Sequence, residues 1–223
     1  MRKKSNSNML GIILSFSGAY LLGVVILHLL PEVFMGGDAA SNRNTAGFVL
    51  AGFFIQLILV QFTRGIEHGH LHLHEHFSKG YVSGVFIGLG IHALLEGLPL
   101  GGGNMPAEEV QPLYWGIFIH KLPETFALAT VLFFSAKKSL WPLLLIILFA
   151  SITPLGSVLG QFFTGSADPE TRFHWMIAIV CGSLTHISTT IIFEASGKAH
   201  KLSVIKFLAI IGGFLFSLLS LIL

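Results

Sequence analysis

Residues 140–163 read LWPLLLIILFASITPLGSVLGQFF, 24 positions without one acidic or basic side chain. As a helix rising about 1.5 Å per residue this stretch is about 36 Å long, enough to cross a hydrocarbon layer of about 30 Å. Comparable apolar runs lie at about 9–30, 46–63, 81–101, 112–135, 174–195 and 203–223, which makes seven. Between them the chain has only short connections, the longest being 31–45 and 64–80. Every backbone polar group in lipid must be satisfied within its own segment or a closed barrel, so seven such runs predict an all-α polytopic bundle.

Composition agrees. Of 223 residues 53% are hydrophobic and 11% charged, against roughly a quarter charged in a soluble domain. A water-soluble fold is excluded, and a net charge of only +2 gives no footing for nucleic-acid binding. No connection is long enough to fold alone, so residues 1–223 are read as a single transmembrane domain. The single cysteine, Cys181, lies inside an apolar run and reads as a small buried hydrophobe. The basic start Arg2-Lys3-Lys4 resembles a signal-peptide flank, but the apolar run continues to about Leu30 without a small-residue cleavage signal and is expected to remain as a span.

Seven spans place the two termini on opposite sides. Putting the N-terminus inside gathers Arg2, Lys3, Lys4, Arg64, Lys79, Lys137, Lys138, Lys198, Lys201 and Lys206 there and leaves Arg43 and Arg172 outside. The positive-inside rule therefore predicts a cytoplasmic N-terminus and an external C-terminus. The remaining base, Lys121, falls within the fourth span. Glycine pairs Gly84/Gly88 and Gly97/Gly101 have the spacing of close helix crossings.

Ionisable groups at membrane depth are costly and usually functional. The third span carries His92 and Glu96 followed by Pro99, and the fourth carries His120, Lys121 and Glu124 around Pro123. Each His/Glu pair is four residues apart, hence on one helical face. On antiparallel helices, His92 and Glu96 lie roughly 16 and 22 Å from the inner boundary, and His120 and Glu124 roughly 18 and 12 Å, so the four can converge. Imidazole and carboxylate suit zinc, iron(II) or manganese, and two carboxylates balance one divalent ion. Pro99 and Pro123 each free a backbone carbonyl, as in the interrupted helices of transporters. The plainer reading is that the two pairs are interhelical hydrogen bonds.

Four further signals are weaker. His68, His70, His72, His74 and His76 alternate in the connection 64–80, on the predicted cytoplasmic side, which suits transient metal capture or simply a solvated loop. His28 and Glu32 flank Pro31 at the outer end of the first span and either line an entrance or sit solvated at the interface. His186, among Ser183, Thr185 and Ser188, either lines a path or bonds a neighbouring helix. Glu194 reads as an interfacial charge.

With these residues in view the chain resembles the ZIP family of zinc and iron transporters. The string His28-Leu29-Leu30-Pro31-Glu32, the His-rich connection and the paired third and fourth spans carry the likeness. It implies eight helices, an internal His-rich loop, and an inverted relation between the first and last three helices. The HLLPE string belongs on the family's second helix and falls here on the first span, so the expectation is the eight-helix fold minus its first helix. Where family members often have Asn after the third-span histidine this chain has Ala93, and where an acidic residue often follows the first fourth-span ligand it has Lys121. The expectation is then one metal held by His92, Glu96, His120 and Glu124, with the Lys121 ammonium in place of a second cation.

The function expected is transport of a divalent transition metal toward the cytoplasm, with zinc foremost and Fe2+, Mn2+ or Cd2+ compatible. The ion is cargo, and no catalytic cofactor is implied. The lipid bilayer of a plasma (inner) membrane is the expected setting, and assembly as a homodimer is compatible with it. The competing class is a seven-helix membrane hydrolase using zinc-bound water, with the sixth span supplying an acid or base. Against it, the chain has no HExxH motif and its connections are too short to shape a substrate domain.

Overall fold

A computed structural model describes residues 2–35, 37–63, 65–66, 78–101, 107–135, 140–164, 169–194 and 203–222. They form α1 (Arg2–Val24), a π turn (Val25–Leu29), α2 (Leu30–Phe34), α3 (Ala39–Thr63), α4 (Lys79–Gly101), α5 (Ala107–Ser135), α6 (Trp141–Thr164), α7 (Pro169–Glu194) and α8 (Val204–Leu219). With α1, the π turn and α2 running on as one rod, seven helical rods stand where the seven apolar runs lie. Six are long and apolar enough to span a membrane, and α8 is a shorter apolar helix.

The break in the first rod has a local cause. Pro31 has no N–H and its ring collides with the carbonyl of Leu27, four residues back. The chain widens by one residue just before it, and the Leu30 N–H reaches back to the Val25 carbonyl.

Burial divides the rods into central and peripheral ones. The spans in α1–α2 and α7 are 67% buried within the protein, whereas those in α3 and α6 are 22% and 17% buried. The outer faces of α3 and α6 present Leu50, Phe54, Ile58, Leu144, Ile147 and Leu155, a surface suited to acyl chains and not to water. Aromatic side chains mark the ends of the spans, with Trp175 stacked on Phe48 at 5.0 Å between ring centres and Trp141 opening α6, as expected of membrane interfaces.

Two apolar cores form. One joins Tyr20, Leu21, Val24 and Leu29 of the first rod to Leu113 and Ile117 of α5 and to Ile177 and Leu184 of α7. The other joins Val85, Leu89 and Ala93 of α4 to Leu128 and Val131 of α5 and to Phe149 of α6. The N-terminal part of α5 thus belongs to one core and its C-terminal part to the other, and His120 and Glu124 fall between them.

Helix crossings are close where glycine allows it. A Cβ on Gly97 would strike the carbonyl of Thr153 in α6, and one on Gly156 would strike the carbonyl of Leu94 in α4. Gly52 and Gly182 make the same reciprocal approach between α3 and α7, against the carbonyls of Ile179 and Val49. Of the glycines singled out in the sequence, Gly97 and Gly101 face α6, while Gly88 faces Thr63 of α3. Without a hydrophobic force between helices in lipid, such backbone approach supplies much of the packing. Gly156→Val is therefore expected to destabilise the bundle by about 2 kcal/mol or more, read as a lowered unfolding temperature in detergent micelles. An unaltered melting curve would show that α4 and α6 do not meet so closely.

Candidate metal centre

The site begins with two helical repeats. On α4, four residues of separation put His92 and Glu96 on one face, and their Nε2 and Oε1 atoms lie 2.9 Å apart. On α5, His120, Lys121 and Glu124 share the face turned toward α4. His92 is 1% exposed, and Glu96, His120 and Glu124 are fully buried. Ligand-type atoms of His92, Glu96 and His120 all lie within 4.8 Å of one another, which is the span of a single coordinated cation, and no other such group occurs among the described residues. The His92 and His120 rings stand nearly perpendicular, at 88°, with centres 6.0 Å apart.

Glu124 stands beside this trio and not within it. Its Oε1 is 4.0 Å from His92 Nε2, while its Oε2 accepts from the Lys121 ammonium at 2.5 Å. The same ammonium lies 2.7 Å from Glu96 Oε2 and 5.4 Å from the centre of the Phe149 ring. Lys121 and Glu124 are three residues apart on one helix, and that spacing swings the Glu124 carboxylate onto the ammonium. The lysine left unassigned to any connection is thus a bridge between the two buried carboxylates.

His120 carries the clearest chemical signal. It is completely buried, yet neither of its ring nitrogens has a hydrogen-bond partner among the described residues. A buried polar atom without a partner costs roughly 1–3 kcal/mol, so an imidazole placed this way is a donor waiting for something that binds nitrogen. The two helices themselves are not broken. Pro99 and Pro123 lie inside α4 and α5, which continue past them; each removes one backbone bond, and the surrounding bundle tolerates that loss.

The remaining sequence signals separate. His28 is buried, and its Nε2 lies 2.9 Å from Ser220 Oγ. That hydroxyl donates its own proton to the Ser217 carbonyl, so the imidazole N–H is the donor and ties the first rod to the end of α8. Glu32 is half-buried in α2. His186 packs edge-on against Phe53 with centres 4.8 Å apart, and its Nδ1 is buried without a partner. None of these three joins the His92–Glu96–His120 group. His68, His70, His72, His74 and His76 lie outside the described residues.

Sequence reasoning missed three contributors. Gln56 of α3, 1% exposed, accepts from Ser183 of α7 at 2.9 Å; a glutamine in the middle of the run 46–63, where the run's other glutamine, Gln61, lies near its end, is the signal that marks it. Tyr20 donates across to the Pro112 carbonyl of α5 at 3.0 Å, and a tyrosine in mid-span carries a similar signal. Phe149 has none, because one phenylalanine among many apolar residues shows no sign of facing an ammonium.

A family model described as "ZIP Zinc transporter" matches residues 70–221, more than half of the chain and both site helices. Zinc transporter ZIP1 of Danio rerio is 25% identical over 193 residues, which cover 68% of this chain and 64% of that protein. Protein zntD of Dictyostelium discoideum is 29% identical over 165 residues, covering 67% of this chain and 24% of that protein. The chain thus spans less than two thirds of the length of either relative. Seven apolar rods, a buried His/Glu group between α4 and α5, and a family match across both converge on one statement: this chain belongs to the ZIP zinc transporter family.

Proposed function

We propose that this integral membrane protein carries a divalent transition metal, zinc foremost, across the bilayer toward the cytoplasm, and that the ion passes through a mononuclear site between α4 and α5. His92, Glu96 and His120 form its core and Glu124 is within reach as a fourth ligand. The observation that carries this reading is the convergence of three ligand atoms within 4.8 Å, completely shielded from solvent, with His120 otherwise unsatisfied. Two nitrogens and a carboxylate oxygen with an open fourth position suit zinc and accommodate iron(II), manganese or cadmium. The descriptions of the matching family model and of the Danio rerio relative, each a zinc transporter, point the same way.

The charge distribution supports an internal N-terminus, an external C-terminus and an internal connection 64–80, and we place this one transmembrane domain in a plasma membrane. We read the protein as a carrier and not as a hydrolase. The hydroxyls of α7 that would have to serve an enzyme are turned to other uses: Thr185 donates to the Cys181 carbonyl, Ser188 to that of Thr185 and Ser183 to Gln56.

Purified protein in liposomes is expected to take up radioactive zinc, and His120→Ala to lower uptake by about a hundred-fold or more, since loss of even an outer-shell partner of a ligand costs about 10–100-fold. Full uptake by this variant would place the essential site elsewhere. Replacing His68, His70, His72, His74 and His76 with Ser should leave measurable uptake, since in the sequence they fall between two apolar runs and not within one; complete loss in correctly inserted protein would contradict the assignment of the essential site to α4 and α5.

Stoichiometry gives a second check. One zinc per chain is expected at the α4/α5 site, with affinity falling as the medium is acidified, because protons compete with the metal for the imidazoles. Lys121→Glu replaces the bridging ammonium by a third carboxylate and is expected to raise the count toward two. Calorimetric titration at several pH values measures both, and a count of one in the Lys121→Glu protein would remove the ammonium from the role of a second cation.

A further inference from the structure

A carrier that alternates between two faces of a membrane closes its site twice per cycle, once loaded and once empty. Each closure takes whatever net charge the site holds out of water, at a cost that rises with the square of that charge. The empty return is the harder step for a site built of carboxylates, and Glu96 and Glu124 are both fully buried here.

Lys121 changes this balance. Its ammonium touches Glu96 at 2.7 Å and Glu124 at 2.5 Å and rests on the face of Phe149, so it is enclosed on three sides by groups that favour a cation. With neutral imidazoles, the empty site carries two negative charges and one positive, leaving one net negative charge. Adding a divalent ion leaves one net positive charge. The loaded and empty closures therefore bury charges of equal size. Without the lysine the loaded site would be neutral but the empty one doubly negative, and the empty closure would cost roughly four times as much as with the lysine.

We propose that Lys121 is the resident counter-cation of the empty site, a built-in substitute for the metal that lets the unloaded carrier reset without a second ion taking its place. This rests on the reading of the α4/α5 group as the transport site. Lys121 acts here through Glu96 and Glu124 and is a positioning and charge-balancing residue, since nothing in the argument requires its amine to touch the metal. Phe149 offers the face of its ring to the ammonium at 5.4 Å and so favours a cation at that place.

The test separates the empty leg from the loaded one. Protein in liposomes is given saturating radioactive zinc outside, with the lumen either free of metal, which measures net uptake and needs the empty return, or filled with unlabelled zinc, which measures exchange and does not. For the wild type the two rates are expected to agree within about three-fold, whereas Lys121→Met is expected to lower the ratio of net uptake to exchange by about ten-fold or more. Lys121→Arg keeps the charge and is expected to keep the wild-type ratio. Equal loss of both fluxes in Lys121→Met, or an unaltered ratio, overturns the proposal. So does wild-type exchange that outruns net uptake by more than about ten-fold, a measurement that stands even if the Met variant fails to fold. Absence of both fluxes in wild-type protein would overturn instead the transport reading on which the proposal rests, and binding of zinc by titration would tell that case apart.

Discussion

Two carboxylates with no solvent exposure are the constraint around which this bundle is arranged. A buried ion costs several kcal/mol even after relaxation, and here both are answered by one ammonium at ion-pair distance. For that ammonium to reach both, α4 and α5 must be held at fixed depth relative to each other, and α6 must bring Phe149 beneath it. The glycine contacts of Gly97 with Thr153 and Gly156 with Leu94 set the depth of α6 against α4. The core of Leu89, Ala93, Leu128, Val131 and Phe149 sets both against α5. The polar centre and the apolar packing are thus one problem, because a shift of a single helical residue, about 1.5 Å, would separate the ammonium from a carboxylate.

The other helices solve the same difficulty on a smaller scale. In α7 the hydroxyls of Thr185, Ser188, Thr189 and Thr190 turn back onto carbonyls of their own helix, which satisfies them without a neighbour. Ser183 instead crosses to Gln56 and His28 crosses to Ser220. These crossings join α3 to α7 and the first rod to α8, the same pairs that glycines bring close at Gly52, Gly182 and Gly213. Hydrogen bonds of this kind are worth about 1 kcal/mol each in lipid, so close backbone packing and polar crossings act together.

What could be seen in the sequence follows from how far each signal reaches. Long uncharged runs report on the solvent around a helix, and so 140–163 and its counterparts located every rod, with ends that differ by up to seven residues where polar first turns such as those of α1 and α3 extend the helix beyond its apolar part. The spacing of His92 with Glu96 and of His120 with Glu124 reports on a helical face, and so the pairing of α4 with α5 was legible from two short strings. Spacing does not report rotation about a rotamer. That is why four equivalent ligands were expected where the structure brings three together and turns Glu124 to Lys121. Proline reports a missing N–H but not its outcome: Pro31 opens a π turn, whereas Pro99 and Pro123 are absorbed by continuous helices. Phe149 was invisible because its role depends on a third helix whose distance from Lys121 no local pattern encodes.

The turn of Glu124 away from the trio also bears on how a carrier site can release what it binds. Conduction and transport require that binding be favourable enough to capture an ion and weak enough to let it go. A closed set of four protein ligands is the arrangement of structural zinc sites, which hold their metal, while three ligands and an open position belong to sites where the metal's partners exchange. In the proposed site Glu124 has two destinations, the metal side, where its Oε1 lies 4.0 Å from His92, and the Lys121 ammonium, which holds its Oε2. On that reading, a Glu124 drawn toward the ion would give up part of a charge-assisted bond, so the fourth ligand would not be gained at full strength. On the same reading, the lysine that balances the buried carboxylates also limits how tightly they would hold a metal, and both effects follow from one side chain placed directly after His120.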